Sequence, residues 1–144
     1  CALPISEKYI NISEYKVEPS HGEYFDTYFY KRYIDGIKTC EVFSVTVWPA
    51  TGEVGGFGST MLGCFDDKDK SDILDAVNKI QSASSAELDK KIRSIYPNYT
   101  SYDIEDMVIV KLKNRKYGIV YEVSVKQPKS PLHMHNQKIL LALQ

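Results

Sequence analysis

The chain has 144 residues, with 18 lysines and arginines against 19 aspartates and glutamates, and a formal net charge of −1. A chain of this length can bury a substantial core. The balanced charge excludes the basic footprint that nucleic-acid partners require, and no stretch approaches the ~18 consecutive apolar residues of a membrane span. Eleven tyrosines and five phenylalanines favour strands, so the sequence predicts more sheet than helix.

The first residue, Cys1, has two interpretations. It is either the lipid-bearing first residue of a mature lipoprotein or the point at which a larger chain was cut. Lipid-anchored cysteines are usually followed by a small polar tether. Because residues 2–5 do not form one, we favour the second interpretation over a lipid anchor.

The first half of the chain predicts a short helix followed by three antiparallel strands. Apolar residues at helical spacing after Pro4 favour a helix that ends near Lys16, with a connector from Glu18 to Gly22. The dipeptide Asp35-Gly36 is typical of a two-residue hairpin turn, and Gly52 is expected in the left-handed conformation of the next turn. The predicted strands span Glu23–Ile34, Ile37–Trp48 and Glu53–Met61.

The second half predicts helical structure and then three more strands. Either Asp69 or Ser71 is expected to cap a first helix, and the spacing of Ser84 and Glu87 is typical of a capping box for a second, although one bent helix would also fit. The strongest period-two alternation lies between Lys116 and Lys126. Predicted strands span Met107–Lys113, Lys116–Lys126 and Lys138–Gln144.

The fold class predicted from this order is α+β, with an antiparallel β-sheet packed on helices. The chain forms either one compact domain over residues 1–144 or two similar halves, 1–64 and 69–144. A disulfide between Cys40 and Cys64 is predicted, with buried thiols as the alternative. These cysteines would face each other across the hairpin if Gly55-Gly56 absorbed two extra residues as a bulge.

Three consecutive segments resemble a known family. They are Arg32-Tyr-Ile-Asp-Gly36, Phe43-Ser-Val-Thr-Val47 and Thr51-Gly-Glu-Val54 with Phe57, and they are similar to PepSY-type domains and the related YcdB/YcdC repeat. The strand Lys116–Val125 is similar in outline, but residues 127–137 replace the Thr-Gly-Glu turn. The resemblance implies tandem α-β-β-β units outside the cytoplasm, no catalytic residues, and a role in inhibiting or holding a peptidase.

Aromatic density is the remaining functional signal. Because aromatic residues occupy both faces of one predicted strand, one face would remain available to a partner. The candidate binding surface comprises Tyr24, Tyr28, Tyr30 and Trp48. The alternative is that the second half of the chain covers this strand on both sides.

Metal binding has one weak candidate, the pair His133 and His135. On a strand these residues share a face, but no third ligand lies nearby in sequence, and an exposed loop is the preferred interpretation. We therefore expect no metal, no cofactor and no catalytic residue.

The hypothesis is a non-enzymatic, extracytoplasmic module with a protein partner, such as a peptidase. The alternatives are a small ligand-binding or enzymatic domain with a tyrosine-lined pocket in a curved sheet, and a cystatin-like inhibitor, which would lack its Gln-x-Val-x-Gly loop.

Overall fold

The computed structural model describes residues 12–60, 65–113, 116–128 and 130–142, without the side chains of residues 12 and 130–135. The described part contains a 3-10 helix (Ile12–Glu14), seven strands and one α-helix. In chain order these are β1 (Tyr15–His21), β2 (Asp26–Ile34), β3 (Ile37–Trp48), β4 (Glu53–Thr60), α1 (Asp69–Ile95), β5 (Ser101–Lys111), β6 (Tyr117–Gln127) and β7 (Ser130–Ala142). The chain divides into two compact units, residues 1–64 (unit 1) and 65–144 (unit 2).

Unit 1 contains a four-stranded antiparallel sheet in the order β1-β2-β3-β4. The turn between β2 and β3 has positive φ at Asp35 (49°) and Gly36 (80°), as a type I′ hairpin requires. Gly52 closes the next turn at φ 71°, and its amide donates to the carbonyl of Trp48 at 2.8 Å. Both turn predictions are therefore confirmed.

Phe43 lies at the centre of the buried face of the unit 1 sheet. The Tyr30 ring stacks on it with centroids 4.4 Å apart and an angle of 4°, and Tyr15 and Phe57 lie at 5.2 and 5.9 Å. The period-two alternation of β3 produces this face, because its odd-numbered residues point to one side. Thr39, Glu41, Phe43 and Val45 on that side are all buried.

Unit 2 packs helix α1 against β6 and β7 of the antiparallel sheet β5-β6-β7. The helix contributes the apolar stripe Ile73, Ala76, Val77, Ile80, Leu88 and Ile92. The alternating residues of β6 that were expected to share a face, Tyr117, Ile119, Tyr121, Val123 and Val125, are all buried. The strongest sequence pattern in the chain thus identifies a core strand.

A reciprocal capping box between Asp66 and Asp69 holds the start of helix α1. The sequence had instead placed a capping box at Ser84 and Glu87. The carboxylate of Asp66 accepts from the amides of Lys68 (2.9 Å) and Asp69 (3.2 Å), and the carboxylate of Asp69 accepts from the amide of Asp66 at 2.6 Å. Ser84 does not cap a second helix. Its hydroxyl donates to the carbonyl of Gln81 at 2.9 Å inside α1, which is continuous from Asp69 to Ile95, so the alternative of a single helix is the one that forms.

The predicted fold class is wrong. Strands dominate the described residues, and the single α-helix there belongs to unit 2, so two α-β-β-β units with a sheet packed on helices are not formed. Residues Tyr15 and Lys16 were assigned to a helix and residues 18–22 to a connector, but 15–21 form strand β1, which pairs with β2 along its whole length. Strand pairing overrides the weak helical spacing. Residues 4–11 of the predicted helix lie outside the described residues.

Strand β7 also differs from the prediction. It begins at Ser130 and includes Pro131, where a loop was expected, and it continues to Ala142. Its pairing with β6 places His135 opposite Val125. An edge strand tolerates proline because only one side of it must donate to a neighbour. His133 and His135 therefore lie on a strand rather than in a loop.

Candidate binding surface

Two hairpin loops lie at the same end of the unit 1 sheet, which we call the hairpin end. The β1–β2 loop covers residues 22–25 and the β3–β4 loop covers residues 49–52. They are neighbours because Asp26, just after the first loop, pairs with Val47, just before the second. This arrangement brings together segments that are separated by more than twenty residues in the sequence.

The β1–β2 loop projects an exposed tyrosine. The amide of Gly22 donates to the carbonyl of Phe25 at 3.0 Å, which leaves Glu23 and Tyr24 at the tip. A Cβ on Gly22 would lie 2.7 Å from that carbonyl oxygen, so the tight loop requires glycine. Tyr24 is 67% exposed.

Trp48 and Phe25 form an exposed aromatic pair at the hairpin end. Their ring centroids are 6.1 Å apart at 77°, an edge-to-face contact. The indole of Trp48 lies over Gly55, and a Cβ at that position would approach its Nε1 atom to 2.5 Å. Gly55 is the extra residue of a bulge, because Thr46 pairs with Gly56 and Val47 with Val54. Trp48 nevertheless remains 45% exposed.

The four predicted surface residues separate into two groups. Tyr24 and Trp48 lie exposed at the hairpin end, whereas Tyr28 and Tyr30 are only partly exposed and lie on the face that also carries Phe43. Sequence reasoning missed Phe25, the residue that contacts Trp48. The glycine before the Glu23-Tyr24 loop was the available signal, since a tight turn there places Phe25 at the hairpin end.

Strand β4 presents an open edge. In the described part of the chain it pairs with β3 alone. All its residues are exposed except Gly56, which is half-buried, and Phe57 is 53% exposed. Edge strands usually carry lysine or proline, which discourage pairing with another chain. The other edge of the sheet, β1, has such residues in Lys16, Glu18 and Pro19, whereas between Val54 and Thr60 strand β4 has no charged residue and no proline.

A buried ion-pair cluster lies on the core face of unit 1. Arg32 donates to Glu41 at 2.5 Å and to Glu14 at 2.9 Å, and Glu41 is fully buried. Burial alone would lower the pKa of Arg32, but its hydrogen bonds to Glu41 and Glu14 raise that pKa. Burial and the nearby Glu41 carboxylate raise the pKa of Tyr15 to about 12. The cluster joins the 3-10 helix and β2 to β3, which is a structural role.

A second buried carboxylate, Asp69, connects α1 to two strands of unit 2. It accepts hydrogen bonds from Lys111 Nζ at 2.7 Å and from the Tyr117 hydroxyl at 2.5 Å. Burial acts to raise the pKa of Asp69, but these hydrogen bonds and that from the Asp66 amide lower it to about 2. The carboxylate is therefore ionised, and its hydrogen bonds go to the capping box and to β5 and β6.

A cleft of about 370 Å³ lies between α1 and β7 in unit 2. Lys91 crosses beside it and donates to the carbonyl of Leu140 at 2.6 Å. The cleft is lined by Lys79, Ile80, Ala83, Glu87, Lys90, Lys91, Leu141 and Ala142. No tyrosine lines this cleft, so it gives no support to the tyrosine-lined pocket considered above.

The predicted disulfide remains a prediction, and the weak metal candidate, His133 with His135, is likewise untested. Cys40 lies in β3, but Cys64 lies outside the described residues, as do the side chains of His133 and His135. The bulge at Gly55 leaves Val42 opposite Thr60, so the described register is still two residues short of bringing positions 40 and 64 opposite each other. Among the side chains that the structure describes, no three from His, Cys, Asp and Glu group to hold a metal ion.

The comparisons with known proteins provide no relative for this chain. It matches no protein-family model, and no curated protein or solved structure matches it. Across the described ranges, no helix combines the length and apolarity that crossing a membrane requires. The PepSY resemblance and the extracytoplasmic location therefore stay hypotheses.

Proposed function

We propose that this protein is a non-enzymatic binding module that captures an extended segment of a protein partner along the open edge of β4. The observation that carries the proposal is the contrast between the two edges of the unit 1 sheet. Edge β1 carries Lys16, Glu18 and Pro19, which discourage strand addition, and β4 has no such residue after Glu53. An added strand would complete the backbone hydrogen bonds of the sheet.

The exposed side chains next to this edge supply apolar contact area for the partner. Phe57 and Val54 project from β4 itself, and both are more than half exposed. At the hairpin end, Trp48 and Phe25 form a separate exposed aromatic pair. Large aromatic residues frequently dominate binding energy, because they bury much area at low conformational cost. Backbone pairing would thus give affinity, and these side chains would give selectivity.

The location and partner class in the proposal come from the sequence. The segments between Arg32 and Val54 resemble PepSY-type domains, which supports an extracytoplasmic setting and a peptidase as the partner. The two buried carboxylates, Glu41 and Asp69, do not support a catalytic function as an alternative to binding. Glu41 and Asp69 are fully buried and pair with Arg32 and Lys111. Binding is therefore the function that the exposed surface supports best.

The proposal is tested with a library of random peptides displayed on phage and selected against the purified protein. Selected peptides are then titrated against the wild type, Phe57→Lys and the matched control Val17→Lys. Both residues are about half exposed on opposite edge strands. Because lysine blocks pairing at a sheet edge, Phe57→Lys is expected to weaken binding at least about tenfold, and Val17→Lys to leave it unchanged. Equal loss in both variants, or a library without binders, would contradict the proposal.

A further inference from the structure

We propose that the segment captured at β4 is basic, with a lysine or arginine that binds between the indole of Trp48 and the carboxylate of Glu53. This inference rests on the proposed function and names the chemistry of the partner. It follows from the charges around the open edge and from the position of the single tryptophan in the chain.

The charge around the hairpin end is entirely acidic in sequence. No lysine or arginine occurs between residues 17 and 30 or between residues 39 and 67. The acidic residues differ in their partners. Glu18 pairs with Lys31, and Asp26 with His21, whereas Glu23 at the loop tip and Glu53 at the start of β4 are exposed and have no ion pair among the described residues. The hairpin end therefore offers two uncompensated carboxylates to a partner.

Trp48 and Glu53 are suited to hold a cation jointly. They pair directly across the β3–β4 hairpin, so their side chains leave the same face of the sheet with Cβ atoms roughly 5 Å apart. Tryptophan provides the most favourable aromatic face for a cation. The Thr51 hydroxyl donates to Glu53 at 3.2 Å and leaves the other carboxylate oxygen for a partner. An ammonium or guanidinium group could thus contact a ring and a carboxylate together.

A single charge at a strand edge can also act as protection against pairing, so the position of Glu53 matters. It is the first residue of β4 and lies beside the turn, which leaves residues 54–60 uncharged for backbone pairing. A charged residue that protects an edge strand against pairing would be expected nearer the middle of the strand, where it would interrupt the added hydrogen bonds most. Glu53 is better placed to select the charge of an incoming segment than to repel every segment.

The test uses three peptides, Ac-X-Val-Thr-Val-Thr-Val-X-NH2, with X as Lys, Met or Glu. Because X stands at both ends, a parallel or an antiparallel strand brings it near Trp48. Trp48 is the only tryptophan and the peptides contain none, so its fluorescence reports binding at this site. We expect the Lys peptide to bind about three- to tenfold more tightly than the Met peptide, and the Glu peptide to bind most weakly. The preference should decrease as salt rises from about 0.02 M to about 0.5 M.

Variants locate the effect. Glu53→Gln is expected to remove most of the Lys preference while binding of the Met peptide stays unchanged, whereas Glu18→Gln removes the same charge from unit 1 and should retain the preference. Equal affinity for the three peptides, with Phe57→Lys still weakening them all, would overturn this inference and leave the proposed function standing. Failure of all three peptides to bind would overturn both. An unchanged preference in Glu53→Gln would overturn the assignment of the cation to this position.

Discussion

Trp48 covers Gly55, and a methyl group added at position 55 would lie 2.5 Å from the indole Nε1. The indole is the outer end of a side chain, so Gly55→Ala is expected to turn the ring away rather than to unfold the hairpin. We predict a red-shifted Trp48 emission and a stability loss on the order of 1 kcal/mol. Gly56→Ala is the matched control, because a Cβ there meets no atom within 4 Å. Identical spectra for the two variants would contradict the contact.

The hydroxyl of Tyr121 provides a second prediction, because it is buried and has no hydrogen-bond partner among the described residues. Tyr121→Phe is expected to be neutral or to stabilise the protein by up to about 1 kcal/mol. In contrast, Tyr117→Phe removes a hydrogen bond to the buried Asp69 carboxylate and should cost about 2 kcal/mol. Urea unfolding of the two variants measures the difference, and equal losses would contradict the assignment.

Acid should weaken unit 2 through Asp69. Its pKa is lowered from 3.8 to about 2 in the folded protein, so the folded state favours the ionised carboxylate. The resulting stability, about 2 kcal/mol, is fully present above about pH 4 and is lost as the pH falls towards 2. The test is urea unfolding of the wild type and of Asp69→Asn at several values between about pH 6 and about pH 2. The difference between their free energies of unfolding should decrease as the pH falls over that interval. A gap that is independent of pH would show that Asp69 does not carry this acid sensitivity.

The buried ion pair between Arg32 and Glu41 gives a fourth prediction. Arg32→Met leaves the fully buried Glu41 without this cation, and the variant is expected to lose about 3–5 kcal/mol of stability. The double variant Arg32→Met/Glu41→Leu removes both charges and should recover part of that loss. Denaturant unfolding of the single and double variants completes a double-mutant cycle. Additive losses would indicate that the two residues are not energetically coupled.

Local chemistry explains which parts of the fold the sequence predicted correctly. Asp35-Gly36 and Gly52 were recognisable as turns, because the left-handed conformation strongly selects glycine and its neighbours. The buried face of β6 was recognisable from strict alternation. In contrast, the Ser84-Glu87 spacing suggested a helix start although no glycine or proline separates it from the preceding turns, and α1 continues through it.

The candidate binding surface depends on tertiary pairing, which the sequence only partly predicts. Tyr24 and Trp48 were among the predicted residues and lie at the hairpin end, but the contact between Phe25 and Trp48 depends on the register of β2 against β3. The position of Tyr30 depends on the same register, since its place opposite Phe43 puts it in the aromatic stack. Likewise, the open edge of β4 is a property of strand order, which the order of elements in the chain does not determine.

The glycines of β4 have a consequence for its motions before and after capture. Gly55, Gly56 and Gly58 lie within four consecutive residues of β4, and each costs roughly 0.5–1 kcal/mol relative to alanine in the interior of a strand. Few buried side chains of β4 offset the conformational entropy that these glycines lose on folding. The hydrogen bonds between β3 and β4 should therefore open often, and the β4 amides should exchange hydrogen with solvent quickly. A bound partner segment would slow that exchange selectively along residues 53–60, so this edge of the sheet would become rigid only when the partner binds.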